Sequence, residues 1–266
     1  MVETRYHFSR IARKYKDLRS TDLPPVKFIK NRLPDLPTIR AADVGCGVGR
    51  YDIELVRYLG PDRLSLYCID CNRKMLGELA LNAGRRGLGN CRAIEADAGA
   101  LPLASGSLDT VFSFNAVHHF DLVRFLGEVA RTLRHGRQLF VYTRFRSQNA
   151  KSLWGRFFPK FTEKEARLRE LPEIQTAVAD VPGLELTSVA YFRYRRHATL
   201  DWLETQAIHR HYSTFSLYKN GEFEEALKGF RRSILREFPQ TSNIRWDDFN
   251  TMLVFETSAQ RVMGED

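Results

Sequence analysis

The residues with the most chemistry to offer lie early in the chain, as Asp43-Val44-Gly45-Cys46-Gly47-Val48-Gly49-Arg50-Tyr51, with Asp70 following 21 positions after Gly49. Glycines at 45, 47 and 49 let the backbone turn sharply and bring bare N–H groups to a ligand at the positive end of a helix. A carboxylate at the distance of Asp70 suits the two hydroxyls of a ribose. Together these residues predict a nucleoside site.

Two kinds of nucleoside ligand compete for such a turn. A nicotinamide or flavin dinucleotide normally wants a small residue where Arg50 stands, and it brings a pyrophosphate that Asp43 would repel. An adenosine that carries an amino acid fits better, because its carboxylate can face the helix N–H groups while its ammonium faces Asp43. S-adenosylmethionine is such a ligand.

The turn needs a strand before it and a helix after it. Short apolar runs at 41–44, 64–69, 91–96, 110–114 and 138–143, separated by helical stretches or loops, read as strands alternating with helices. That alternation implies right-handed crossovers and a parallel sheet covered on both faces. Before it, 6–18 places Phe8, Ile11, Ala12, Tyr15 and Leu18 at helical spacing, opposite Arg10, Arg13, Lys14 and Lys16. The prolines at 24, 25, 34 and 37 punctuate the chain up to the first strand. After Thr143 the alternation stops. A helix is expected from Thr162, with Glu165 completing a capping box and Pro172 interrupting it. Beyond that, 184–194 reads as a strand, 200–218 mostly as a helix, 222–238 as another helix and 251–255 as a last strand.

A length of 266 residues suits one large domain or a domain with an appended cap. Hydrophobic residues at 43% and charged residues at 27% exclude a disordered or collagenous chain. The 41 basic against 32 acidic residues give +9, which favours an acidic partner without choosing among nucleic acid, membrane surface and anionic metabolite. No apolar run reaches about 18 residues, and the charged start has no signal-peptide pattern, so a cytoplasmic location without a membrane span is expected. Cys68 and Cys71 form a CxxC. With Cys68 inside a strand and Cys91 expected to begin the next parallel strand at the opposite end of the sheet, the four cysteines read as thiols and no metal site is expected.

Four motifs in order resemble the class I S-adenosylmethionine-dependent methyltransferases, in particular the small-molecule group that includes quinone-biosynthesis methyltransferases. They are Asp43 to Gly49, Cys68-Ile69-Asp70, Glu95 to Pro102, and Ser107 to Phe120, within a resemblance that covers about residues 6–145. It implies a Rossmann-like seven-stranded, mostly parallel sheet with the last strand antiparallel, an N-terminal helical lid over 1–36, a cofactor-binding core over 37–143, and a C-terminal helical cap with the final strands over 144–266. It also implies S-adenosylmethionine as cofactor, held by Tyr15, Arg19, Asp43, Gly45, Cys46, Gly47, Gly49, Asp70, Cys71, Asp97, Ala98 and Asn115, with Asp97 meeting the adenine amino group. His135-Gly136-Arg137 departs from the family's usual Pro-Gly-Gly. The tetrapeptide of adenine-N6 methyltransferases and the Pro-Cys dipeptide of cytosine-C5 methyltransferases are missing, which argues against those two chemistries.

His118 and His119 offer imidazoles that could take a proton near neutral pH, although such a pair more often supports a turn. The basic, aromatic run from Arg144 to Phe161 follows the fifth strand, where open α/β folds bind ligands. Arg144 and Arg146 there, and His211 and Tyr212 further on, are candidate acceptor contacts. The expected function is methyl transfer to O, N or C of a small anionic or aromatic metabolite. An RNA (tRNA) methyltransferase is the alternative, since the third and fourth motifs also resemble wobble-uridine tRNA methyltransferases, and a non-catalytic cofactor-binding partner subunit is the alternative of another class.

Overall fold

The structure is a computed structural model that describes residues 2–18, 21–86, 89–219 and 221–258. It resolves into two compact units. One comprises residues 21–143, 171–190 and 252–266, and the other 1–20, 144–170 and 191–251. Arg19, a predicted cofactor residue, lies outside the described residues.

One seven-stranded sheet runs in the order β3-β2-β1-β4-β5-β7-β6, with β1 to β5 wholly within the first unit. Its strands are β1 (Ile39–Val44), β2 (Leu64–Asp70), β3 (Cys91–Glu95), β4 (Leu108–Phe114), β5 (Leu133–Thr143), β6 (Leu184–Ala198) and β7 (Ile244–Thr257). The neighbours from β3 through to β5 pair in parallel. Every residue of β4 is buried, as expected of a central parallel strand covered on both faces. Tyr51 stacks on Phe114 at 4.1 Å between ring centroids, which anchors the helix after the glycine turn to the sheet. The strand order reverses between β1 and β4, and open α/β sheets bind ligands at the carboxyl ends of strands beside such a reversal.

The helices of this unit begin where local chemistry allows. Asn72 caps α4 (Arg73–Arg85) by accepting the Lys74 and Met75 amides, and Asp121 caps α5 (Leu122–Thr132) by accepting that of Arg124. Leu23–Arg32 is a helix, α2, although its two prolines read as punctuation. Pro24 and Pro25 occupy its first turn, where a missing N–H costs nothing.

In the second unit, α1 (Val2–Leu18) packs against a short 3-10 turn, Ser213–Leu217. Trp154, Phe158, Phe161, Phe215 and Phe230 form the aromatic centre of this unit, with Trp154 stacked on Phe230 at 5.0 Å. The helix expected from Thr162 is only four residues, Phe161–Lys164. Glu165 does not complete a capping box: its buried carboxylate bonds Arg167 and Thr214 instead. Pro172 starts a new helix, α9 in chain order (Leu171–Ala179), rather than breaking an old one. The stretch 200–218 divides into a helix, Leu200–Ile208, and the 3-10 turn. Strands β6 and β7 are longer than their apolar runs, reaching Ala198 and beginning at Ile244.

Candidate functional site

Strand β1 ends at Val44, and the chain then folds over itself through Gly45, Gly47 and Gly49, all three at positive φ. Gly45 has no room for a side chain, since a Cβ would lie 2.4 Å from that of Ala116 and 2.8 Å from the Phe120 ring. The Gly45 and Cys46 amides donate to the Ile69 carbonyl at 2.8 and 3.1 Å, tying the turn to the end of β2.

Asp70 completes the tie. Its Oδ2 accepts the Gly47 amide at 2.9 Å and its Oδ1 accepts the Asn72 amide at 2.8 Å. Each carboxylate oxygen has two lone pairs, so these bonds orient the group and leave capacity for a pair of hydroxyls. The third predicted carboxylate, Asp97, is exposed and held by the Gly99 amide on Oδ1 at 2.8 Å, with Ala98 half-buried beside it. Asn115 sits at φ +53, a left-handed conformation that asparagine tolerates, and donates its amide to Tyr142 at 2.7 Å. The next residues form a single 3-10 turn that brings the His118 and His119 rings to 4.0 Å.

A fourth carboxylate, which the motifs did not single out, underlies the turn. Asp52, 2% exposed in the first turn of α3 (Arg50–Leu59), neighbours the 1% exposed Asp43. Neither oxygen of Asp52, nor Oδ1 of Asp43, finds a well-formed hydrogen bond among the described residues. Burial, the Asp52 charge and the Asp70 charge together raise Asp43 well above the ordinary carboxyl range. Burial raises Asp52 to about 6, although the adjacent Asp43 and Cys68 side chains pull it down. Burial and the same carboxylates push the Cys46 thiol well up, so it stays protonated and unreactive. In the sequence Asp52 stands out only as an acidic residue in the first turn of the helix that follows the glycines, with nothing to mark its burial beside Asp43.

The cysteine geometry differs from expectation. Cys91 begins β3 as expected, but it opposes Leu66, close enough to Cys68 for the two thiols to interact, which lowers Cys91. Cys71 is exposed.

This donor set fits an adenosyl amino acid with a positive sulfur. Buried Asp43 has an oxygen still seeking a donor, the anionic base of the turn favours a cation, and the glycine cradle admits only a ligand that approaches backbone. The same base disfavours a pyrophosphate.

The remaining candidates lie in the second unit, where each has structural partners. Arg144 pairs with Asp248 at 3.0 Å and donates Nε to Asn250 at 3.1 Å. Arg146 donates Nε to the Leu168 carbonyl at 3.0 Å. His211, 6% exposed, has Nδ1 at 3.0 Å from the Gln206 carbonyl and its ring 5.1 Å from Trp154. Tyr212 is half-buried with its ring 6.0 Å from Phe161, and Tyr15 meets Phe8 edge-on at 6.0 Å.

Residues 41–136 match the family model described as a methyltransferase domain. The chain is 31% identical over 158 residues to the tRNA (carboxymethyluridine(34)-5-O)-methyltransferase ALKBH8 of Mus musculus, a match covering 56% of this chain and 22% of that protein. It is 32% identical over 133 residues to the malonyl-[acyl-carrier protein] O-methyltransferase of Dechloromonas aromatica (strain RCB), covering 50% of this chain and 47% of that one. The chain therefore spans less than half the length of either relative. A solved SAM-dependent methyltransferase from Aquifex aeolicus superposes with a TM-score of 0.55 at 20% identity, over 67% of this chain and 91% of the other. Among the described residues no helix is long and apolar enough to cross a membrane, and no group of three or more His, Cys, Asp or Glu could hold a metal ion.

Proposed function

We propose that the protein, whose residues 41–136 match a methyltransferase-domain model, is a class I S-adenosylmethionine-dependent methyltransferase that transfers the cofactor's methyl group to O, N or C of a small anionic or aromatic metabolite. The observation that carries this reading is the braced turn, in which Asp70 holds the Gly47 amide while Asp43 keeps a buried oxygen without a donor. When bound, the cofactor supplies an electrophilic methyl on positive sulfur.

The protein's own contribution is then alignment and charge. Asp70 takes the ribose hydroxyls, Asp97 the adenine amino group, and Asp43 the ammonium, while the turn's N–H groups face the carboxylate. Cys46, Gly49, Cys71, Ala98 and Asn115 supply the walls, and Tyr15 is retained as a cofactor contact. Holding two reactants in line contributes up to about 7–11 kcal/mol of a barrier, so methyl transfer needs little further chemistry from side chains. An oxygen or nitrogen acceptor also loses a proton, and His118 and His119 are the imidazoles proposed to take it. Arg144, Arg146, His211 and Tyr212 are the residues proposed to meet the acceptor, each already placed by partners within its own unit.

A second reading has specific support. The mouse relative is a tRNA methyltransferase, and the chain is basic at +9. Incubating purified protein with deuteriomethyl cofactor and cell extract, then weighing metabolite and RNA fractions, tests both. The first reading expects the mass shift in a metabolite, the second in tRNA nucleosides. No label in either fraction overturns both and leaves a cofactor-binding subunit.

A further inference from the structure

The second half of β6 alternates strictly. Phe192, Tyr194, Arg196 and Ala198 are half-buried, whereas Tyr191, Arg193, Arg195 and His197 are exposed. The inner row is accounted for by packing: Phe192 and Tyr194 run parallel at 6.4 Å, the Arg196 guanidinium lies 4.6 Å from the Tyr194 ring, and Ala198 rests on the aromatic core. In the outer row only Arg193 has an ion pair, with Asp247 at 2.6 Å. Arg195 and His197 on β6, and Arg245 on β7, make no ion pair or side-chain hydrogen bond among the described residues.

Those three side chains line one open groove of about 840 Å³, together with Asn243 and Trp246. Arg195, Arg196 and Arg245 on a common groove repel one another, and Asp247, the carboxylate among the lining residues described, pairs with Arg193 and is also attracted by Arg195, so the cations outnumber it. Trp246 is half-buried, packed on the aromatic core of its own unit, and contributes to the groove wall. Cations that track a backbone beside a flat aromatic are the means by which proteins hold single-stranded nucleic acid. An acidic peptide would use the cations and leave the indole unmatched, and a lone phosphate would fill a small part of the groove.

We propose that the groove between the distal ends of β6 and β7 binds a single-stranded segment of RNA, with phosphates on Arg195, Arg245 and His197 and a base stacked on Trp246. For its ligand class the proposal rests on the RNA reading of the acceptor. For its place it rests only on the groove.

Anisotropy of a fluorescein-labelled oligouridylate, titrated with the full chain, tests it. The double variant Arg195→Glu/Arg245→Glu is expected to bind about tenfold more weakly or worse, and to lose about one unit or more of the slope of log K against log salt. RNA should quench tryptophan emission in the parent protein and far less in Trp246→Phe. Unchanged cofactor affinity by calorimetry shows that both variants fold. Unchanged RNA affinity in the double variant overturns the proposal, as does equal displacement of the RNA by polyglutamate. Equal methylation of tRNA by parent and double variant would sink the groove while leaving the RNA reading intact. RNA held in the groove but never methylated would support the groove and remove that reading.

Discussion

The Gly47 amide donates to Asp70 Oδ2 at 2.9 Å, so the carboxylate expected to grip a ribose also shapes the turn expected to hold the rest of the ligand. Its other oxygen takes the Asn72 amide, and Asn72 in turn caps the next helix. One residue thus couples the end of β2 to two helix starts. Asp70→Ala is expected to weaken cofactor binding by about 1–3 kcal/mol through loss of a charged acceptor. Calorimetry with S-adenosylmethionine reads this directly, and an unchanged dissociation constant would remove the ribose assignment.

Gly45 is the tightest point of the turn. At φ +78, with a Cβ destined for 2.4 Å from that of Ala116, Gly45→Ala must shift the backbone or the following 3-10 turn. The expected loss is about 1–3 kcal/mol of stability, accompanied by weaker cofactor binding. By contrast Gly106→Ala, with positive φ but no atom within 4 Å of its Cβ, should lose some stability and no cofactor affinity. Paired melting curves and titrations separate the two. Equal loss of affinity in both variants would show that backbone strain, rather than the crowded cradle, governs the site.

Much of the sheet was readable because its central strands are buried on both faces and so appear as apolar runs, as at Leu108–Phe114. Spacing singled out Asp70, whereas its bond to the Gly47 amide emerges only from the fold. Helix Leu23–Arg32 was not, because proline breaks a helix interior yet is tolerated in its first turn, and only position distinguishes the two. The end of β6, 195–198, escaped notice because its alternation is carried by arginine and histidine, and the start of β7, 244–250, because it mixes charged with apolar residues without a clean period of two. Asp52 escaped because its significance comes from burial beside Asp43, which no spacing announces.

Arg144 illustrates how a residue at a functional edge can be committed elsewhere. Its side chain and that of Asp248 are only 10% and 13% exposed and 3.0 Å apart. Removing Arg144 leaves the poorly solvated Asp248 only the more distant Arg196, at 4.0 Å, so Arg144→Ala should cost about 1–3 kcal/mol of stability. A rise in KM without loss of stability in Arg144→Ala would return that arginine to acceptor recognition.

The two buried carboxyls beneath the turn make a prediction about pH whose sign follows from their direction of shift. Asp52 titrates at about 6 in the folded protein against 3.8 for an ordinary side chain, chiefly because burial disfavours its charge. Between those values the folded chain holds a proton that the unfolded chain has released, so the contribution of Asp52 is fully present below 3.8 and is lost as pH rises through about 6. At neutral pH the ionised group therefore costs the cofactor-free protein stability, on the order of 2–3 kcal/mol. Asp52→Asn preserves shape without the charge and should be more stable than the parent above about pH 7, with the advantage vanishing towards about pH 4. Urea unfolding of both proteins across that range measures the difference. Bound cofactor, whose positive groups favour the ionised pair, should narrow the gap at neutral pH. An Asn variant no more stable than the parent at neutral pH would mean that Asp52 is already satisfied by a partner and carries no such cost.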